Sequence, residues 1–305
     1  MGGKDSKPFS GKLYRILVGH SAAVTSVSFS PNNRYIATCS ADQSAILWDL
    51  RTFNPIRTLH GHSQEVTGCC FSHDSKMLVT CSNDRTLRTW RIDSGEAHRL
   101  SSHTKVVTHV TCHPSTMKIV SSSADRLVIL WDLTEGKLSK KKMTGHKDTV
   151  YQAHFSPDGV LIASCSADRS IILWSASSGK QVLSIKDGGS QIMSCPFSPD
   201  GTLLACMVDG GRVRVWNHIH THVVNTLKAS ETLSVRACAF LPDNNRIVTG
   251  SADRCIMLWT AREDRSTPLM LIQEAHAAEI TSVQFSSNGK FLASSSLDEQ
   301  VKIWV

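Results

Sequence analysis

No stretch of this 305-residue chain approaches the ~18 consecutive apolar residues that a membrane-spanning helix requires. Its first ten residues, MGGKDSKPFS, lack the apolar core of a secretory signal. Ten cysteines are present, yet none forms a Cys-x-x-Cys pair. Cys39, Cys81, Cys165 and Cys238 stand in apolar, strand-like contexts, which suits free thiols acting as small buried hydrophobes in a reducing compartment. A Gly-rich phosphate loop, a Gly-x-Ser-x-Gly elbow and a His-Glu-x-x-His motif are all missing, so neither a cofactor nor a metal is expected. No segment sustains a 3.6-residue apolar period, which disfavours helix throughout. The net charge of +7 is mild, and it permits acidic or nucleic-acid partners without requiring either. The basic run from Lys137 to Lys142 is short and reads as a solvated edge.

What the chain does contain is repetition. TCSADQSAILW, TCSNDRTLRTW, SSSADRLVILW, SCSADRSIILW, CMVDGGRVRVW, TGSADRCIMLW and SSSLDEQVKIW end at Trp48, Trp90, Trp131, Trp174, Trp216, Trp259 and Trp304. These are all seven tryptophans, spaced 41 to 45 residues apart. Within each unit a Gly-His pair or its equivalent precedes an alternating run, as in GHSAAVTSVSFSPN, followed by a turn and two further apolar runs. Period-two alternation bounded by Pro, Asn, Asp and Gly predicts four short antiparallel strands per unit.

The Gly-His pairs, the period and the Trp-Asp dipeptides at Trp48-Asp49 and Trp131-Asp132 resemble the WD-repeat family of β-propellers. The resemblance implies an all-β, closed seven-bladed ring. It is expected as one domain over 12–305 after a flexible head at 1–11, with repeats near 20–50, 62–92, 103–133, 146–176, 188–218, 231–261 and 276–305. The seventh unit ends with its third strand, and residues 11–20 mirror the outer-strand segments elsewhere. The N-terminal strand is therefore expected to complete the last blade and close the ring.

In SCSADRSIILW, Ser166 and Asp168 lie downstream of His146 and could suggest a hydrolase site. The same residue types recur around the chain, however: Asp42, Asp84, Asp125, Asp168, Asp209, Asp253 and Asp298; Ser40, Ser82, Ser123, Ser166, Ser251 and Ser296; and His20, His62, His103, His146 and His276. A catalytic triad is needed once, so a structural role and a non-enzyme are expected. The resemblance implies hydrogen bonds joining histidine, aspartate, a Ser/Thr of the second strand and the indole, with Ser166, Asp168 and Trp174 holding blade 4. Unit five departs from the pattern: Gly188 replaces histidine, Met207 replaces serine, and one residue is added between Asp209 and Trp216. Its first strand contains Pro196, expected at an inner sheet edge. Unit six has Glu231 at the histidine position.

After each turn aspartate come Arg85, Arg126, Arg169 and Arg254, with Gln43, Gly210 and Glu299 in the other units. Four arginines on the rim shared with the Gly-His loops would suit an acidic or phosphorylated peptide. Asp42, Trp48, Asp49 and Arg51 match the box by which some WD-repeat proteins dock to a cullin-RING ubiquitin-ligase adaptor. Gly2 and Ser6 fit an N-myristoylation pattern, assisted by Lys4, Lys7 and Lys12; membrane contact is expected only with that lipid. His218, His220 and His222 alternate but follow Trp216 at a turn, which favours a surface cluster over a zinc site. These readings predict a non-catalytic scaffold, monomeric within a hetero-complex, bound to other proteins, and carrying no nucleic-acid motif. Its expected location is the cytoplasm, with nucleus and cilium as alternatives. A ligase substrate receptor and a cytoskeletal or ciliary subunit are the alternative functions.

Overall fold

Alternating and apolar runs become strands because each must pair its backbone and bury at least one face. The computed structural model describes residues 9–134, 138–186, 189–229, 234–263 and 267–305. Gly2, Lys4, Ser6, Lys7, Lys137, Gly188 and Glu231 lie outside the described residues. Twenty-eight strands form seven four-stranded antiparallel sheets, with no helix among the described residues. In blade 1 the inner strand Val24–Phe29 pairs with Tyr35–Ser40, then Ser44–Asp49, then the outer strand Pro55–His60. The next five blades repeat this order from inner strands Val66–Phe71, Val107–Cys112, Val150–Phe155, Ile192–Ser194 and Val235–Phe240.

The second and third strands are buried on both faces, which explains their near-continuous apolar sequence. Ile36, Ala37, Cys39, Ile46, Leu47 and Trp48 are all at most 3% exposed. Core clusters span neighbouring blades: Val120 and Val128 of blade 3, for example, pack with Val150, Ile162 and Trp174 of blade 4. The ring is thus held by interfaces rather than by one central core. Free cysteines fill these layers, and burial pushes the Cys81 and Cys238 thiols up to about 12.

Blade 7 is built from both ends of the chain. Leu13–Val18 pairs with Gln300–Trp304, placing Leu17 opposite Val301. The Ser10 and Lys12 amides donate to the Val305 carbonyl, and the Val305 amide donates to Lys12. Phe9 packs edge-on against Phe285 at 5.4 Å, so the docked segment begins ahead of residue 12. The closure expected from the spare N-terminal strand is present.

Each inner strand slips register by one residue near its start. A bulge of this kind turns its extra residue out of the ladder. Here the hydroxyls of Thr25, Thr67, Thr108 and Thr281 use that freedom to donate to the carbonyls of Val66, Val107, Val150 and Val24 in the next blade, at 2.5–2.7 Å. Tyr151, Met193 and Arg236 occupy the bulge in blades 4, 5 and 6. The chain of these threonine bonds therefore runs from blade 7 through to blade 4.

Blade 5 is weaker for a second reason. Its inner strand keeps only Ile192–Ser194, where blade 1 has six residues. Pro196 accepts from the Ala205 amide at 3.0 Å but has no N–H to return the bond. We expect the backbone amides of 192–197 to exchange hydrogen faster than those of 24–29, as measured by mass spectrometry. Equal protection would contradict this account of blade 5.

Candidate functional site

A buried indole N–H and a buried imidazole each need partners, and one side chain supplies both. In blade 4 the Trp174 Nε1–H donates to Ser164 Oγ at 2.8 Å, Ser164 Oγ lies 2.8 Å from His146 Nε2, and His146 Nδ1 lies 3.0 Å from Asp168 Oδ2. A neutral imidazole protonated at Nδ1 satisfies every member: it donates to the carboxylate and accepts the seryl proton, while the seryl oxygen accepts from the indole. Thr38, Thr80, Ser121 and Ser294 make the same link in blades 1, 2, 3 and 7. Gly145 permits the packing, because a Cβ there would come within 2.9 Å of the Trp174 ring.

The hydroxyl in this relay is Ser164 and not Ser166, which corrects the expectation for blade 4. Ser164 and Ser166 are two apart on one strand and share a face. Ser166 Oγ accepts the Asp168 amide and donates to the Asp148 carbonyl, so it shapes the turn. Ser40, Ser82, Ser123 and Ser296 do likewise. Ser164, His146 and Asp168 do adopt the connectivity of a hydrolytic triad, but Ser164 is 0% exposed and its oxygen is committed to the indole. No substrate carbonyl can reach it.

Burial opposes the charge of both relay partners. It lowers the pKa of His62, His146 and His276, against the raising effect of their aspartates, and keeps them neutral. It would raise Asp168, but bonds from Ser170, the Lys147 amide and His146 outweigh it and hold the carboxyl below its usual range. In Asp125 the same balance brings the value to about 2.

Two blades depart from the relay. In blade 5 the register pairs Leu204 with Trp216 and Val208 with Arg212. The turn therefore has the same length as in blade 1, and the added residue between Asp209 and Trp216 reflects the placement of the aspartate and not an insertion. Asp209 instead sits one position early: Gly210 takes the aspartate position, Val208 rather than Met207 the serine position, and Cys206 the relay hydroxyl position. The Trp216 Nε1–H is buried without a hydrogen-bond partner. Asp209 still accepts the Gln191 amide at 3.2 Å. In blade 6 Trp259 retains its hydroxyl, Thr249, at 3.0 Å, while Ser251 bonds to Asp253.

The turn aspartates also accept backbone amides of the Gly-His loops, for example Ser21, Ser63, Thr104, Lys147 and Ala277. The residue after each aspartate therefore shares a face of the ring with those loops. Arg85, Arg126, Arg169 and Arg254 are exposed there with φ of 68–72°, in the left-handed region. That conformation favours glycine over arginine, and Gly211, not Gly210, occupies the position in blade 5 with φ 69°. Arg254 lies 3.8 Å from Glu274, whereas Arg85, Arg126 and Arg169 have no acidic partner within salt-bridge distance among the described residues. The expected four-arginine collar is thus an arc of three free guanidiniums on consecutive blades.

On the opposite face, Asp49 caps the third-to-outer loop by accepting the Arg51 and Thr52 amides at 2.8 and 3.0 Å. Asp42 and Trp48 belong to the relay, so Arg51 is the exposed member of the ligase-type box. His218 turns inward to the Gly201 carbonyl and the Phe197 ring, leaving only His220 and His222 stacked outside. The three imidazoles do not converge, and no metal-binding group of three or more His, Cys, Asp or Glu occurs among the described residues.

The channel residues lie outside the repeated motif. His109 and His154 line a cavity of about 340 Å³ along the ring axis, with ring centroids 4.7 Å apart. Their alternation in VTHVTC and VYQAHF was the available signal. His109 Nδ1 is buried without a partner, and burial lowers this group to about 4.

A closed ring of seven four-stranded blades with a repeated buried relay defines a seven-bladed β-propeller. Seven matches to the WD domain, G-beta repeat, cover residues 11–49, 53–91, 95–132, 137–175, 179–217, 221–260 and 267–305, and the chain belongs to that family. It is similar to "Transducin beta-like protein 3" of Bos taurus, with 25% identity over 95% of this chain and 40% of the relative. The "Ribosome biogenesis protein WDR12 homolog" of Nematostella vectensis is 28% identical over 70% of this chain and 48% of its own length. The "WD repeat-containing protein WDS homolog" of Arabidopsis thaliana is 27% identical over 99% of this chain and 58% of the relative. The chain spans about half the length of these relatives.

Two outcomes follow. Trp174→Phe should cost about 1–3 kcal/mol more than Trp216→Phe in urea unfolding, because only the former breaks a satisfied bond while the latter removes an unpaired buried N–H. Lowering pH should destabilise the fold from about 6.5 towards 4. The unfolded chain protonates its histidines there, whereas folded His109, at about 4, does not. Near pH 5, His109→Gln should flatten that loss by about 1 kcal/mol per pH unit. Below about pH 4 the lowered aspartates, Asp125 foremost, add a further loss.

Proposed function

We propose that this chain is a non-catalytic platform on which a multiprotein complex assembles, engaging acidic or phosphorylated peptides through the face that carries the turn arginines. The observation that carries the reading is the arc of Arg85, Arg126 and Arg169 on consecutive blades, exposed and without acidic partners among the described residues. Arginine offers a planar fork for carboxylate or phosphate. The buried relay supports the non-catalytic assignment, since its hydroxyls are committed internally.

The similarity to a ribosome biogenesis protein supports a nuclear assembly over a cytoplasmic one. The relatives give no support to a ubiquitin-ligase receptor using Arg51, or to a cytoskeletal or ciliary subunit. We place the chain as a single copy within a hetero-complex, attached to membrane only if Gly2 is acylated.

Affinity purification with quantitative mass spectrometry tests the reading. The Arg85→Glu/Arg126→Glu variant should lose at least one abundant partner by about tenfold while its thermal midpoint stays within a few degrees. Retention of every partner would remove the arginine face from the proposal.

A further inference from the structure

Seven copies of one blade give an internal comparison for every surface position. Three such positions surround the groove between each Gly-His loop and the third and outer strands. They are the residue after the histidine, the left-handed turn residue, and the outer-strand residue at the same end. In blade 4 they are Lys147, Arg169 and Lys186, all exposed. In blade 1 they are Ser21, Gln43 and His60; in blade 2, Ser63, Arg85 and Ser101; in blade 3, Thr104, Arg126 and Thr144. Blade 5 has Gly189, Gly211 and Lys228, blade 7 has Ala277, Glu299 and Val18, and blade 6 pairs Arg254 with Gln273 at its outer strand. Only blade 4 concentrates three cations.

Those three side chains line one cavity of about 440 Å³, with Ser184 and Gln181 on its outer wall. None of the three has an acidic partner within salt-bridge distance among the described residues. Asp168, the one carboxylate among the described residues that line the cavity, is occupied by His146, Ser170 and the Lys147 amide. Three positive charges against one negative leave a local charge of +2 (3 − 1), counted on these lining residues.

We propose that the blade 4 groove is an anion-binding site that seats the phosphate monoester of a phosphorylated serine or threonine in a partner peptide. This assignment rests on the arginine face being a docking surface and names its principal subsite. A phosphate monoester carries about −1.5 to −2 at pH 7, which the local charge matches. A carboxylate or a nucleic-acid phosphodiester carries −1 and would leave the groove under-neutralised. No exposed aromatic ring lines it, so it lacks the stacking platform used by single-stranded RNA. Ser184 and Gln181 supply neutral donors for the remaining phosphate oxygen or the peptide backbone. Lys147 and Lys186 therefore act with Arg169, although the two lysines are 39 residues apart in sequence (186 − 147).

The full chain is titrated by fluorescence anisotropy with a peptide pool fixed at phosphoserine, the matching serine pool, and a uridine decamer. The phosphoserine pool should bind at least tenfold more tightly than the serine pool, and millimolar inorganic phosphate should compete. Lys147→Gln/Lys186→Gln should weaken binding at least tenfold without moving the thermal midpoint, since both lysines are exposed. Equal affinity for both pools, undiminished binding by the lysine variant, or tighter binding of the uridine decamer through the same lysines would each overturn the assignment. Should partners depend on Arg85 and Arg126 while the phosphoserine pool fails to bind, the docking face stands and the phosphate subsite falls. Phosphoserine binding lost with the lysines while every partner survives Arg85→Glu/Arg126→Glu would leave the subsite standing without the wider face.

Discussion

The propeller depends on keeping a tryptophan, a histidine and a hydroxyl dry without stranding any of their polar atoms. An isolated sheet of four short strands cannot bury that set, because both faces of its second and third strands need cover. Stacking blades supplies the cover, and the relay then fixes the loop from the preceding blade, the second strand, the turn and the third strand relative to one another. The carboxylate is the hinge of the arrangement: one oxygen holds the imidazole and the incoming loop, the other holds the turn. Desolvation weakens each charged form, while the network as a whole favours neutral histidine beside ionised aspartate.

Much of this was legible in the sequence, because a buried indole every 41 to 45 residues is a demand that recurs with the fold. Blade number, strand grammar and ring closure followed from that repetition and from the spare strand ahead of the first Gly-His pair. The identity of the relay hydroxyl was not legible. Ser164 and Ser166 both point to the same side of their strand, and only the distance to His146 separates them. In blade 5 the aspartate anchored an alignment that the cross-strand register overrules, since Trp216 lies opposite Leu204 as Trp48 lies opposite Ile36. Side chains brought together from three elements, such as Lys147, Arg169 and Lys186, leave no local pattern at all.

Stability is unevenly distributed around the ring. Blades 1, 2, 3, 4 and 7 carry complete relays, and the threonine bonds at the inner bulges join these same five blades in an unbroken arc. Blade 5 lacks the relay hydroxyl, half of a ladder pair at Pro196 and the threonine bond of the inner bulge. Because repeat interfaces contribute roughly additively, such a ring tolerates one deficient unit if its neighbours clamp it. The Tyr151–Gln191 bond at 2.7 Å supplies one such clamp from blade 4.

Function-bearing features of a repeat protein are best sought where the copies differ. The relay is nearly invariant and buried, so it can support recognition only by positioning what surrounds it. The left-handed turn residue is the point of contact between the two roles: the relay aspartate shapes the turn, and the turn presents the next side chain to solvent. Glycine would relieve the backbone there, and Gly211 takes the position in blade 5. Six of the seven blades nevertheless carry a larger residue there, and among the described residues the arginines of blades 2, 3 and 4 face solvent with no acidic partner. In blade 4 Lys147 from the loop and Lys186 from the outer strand join Arg169 at one cavity.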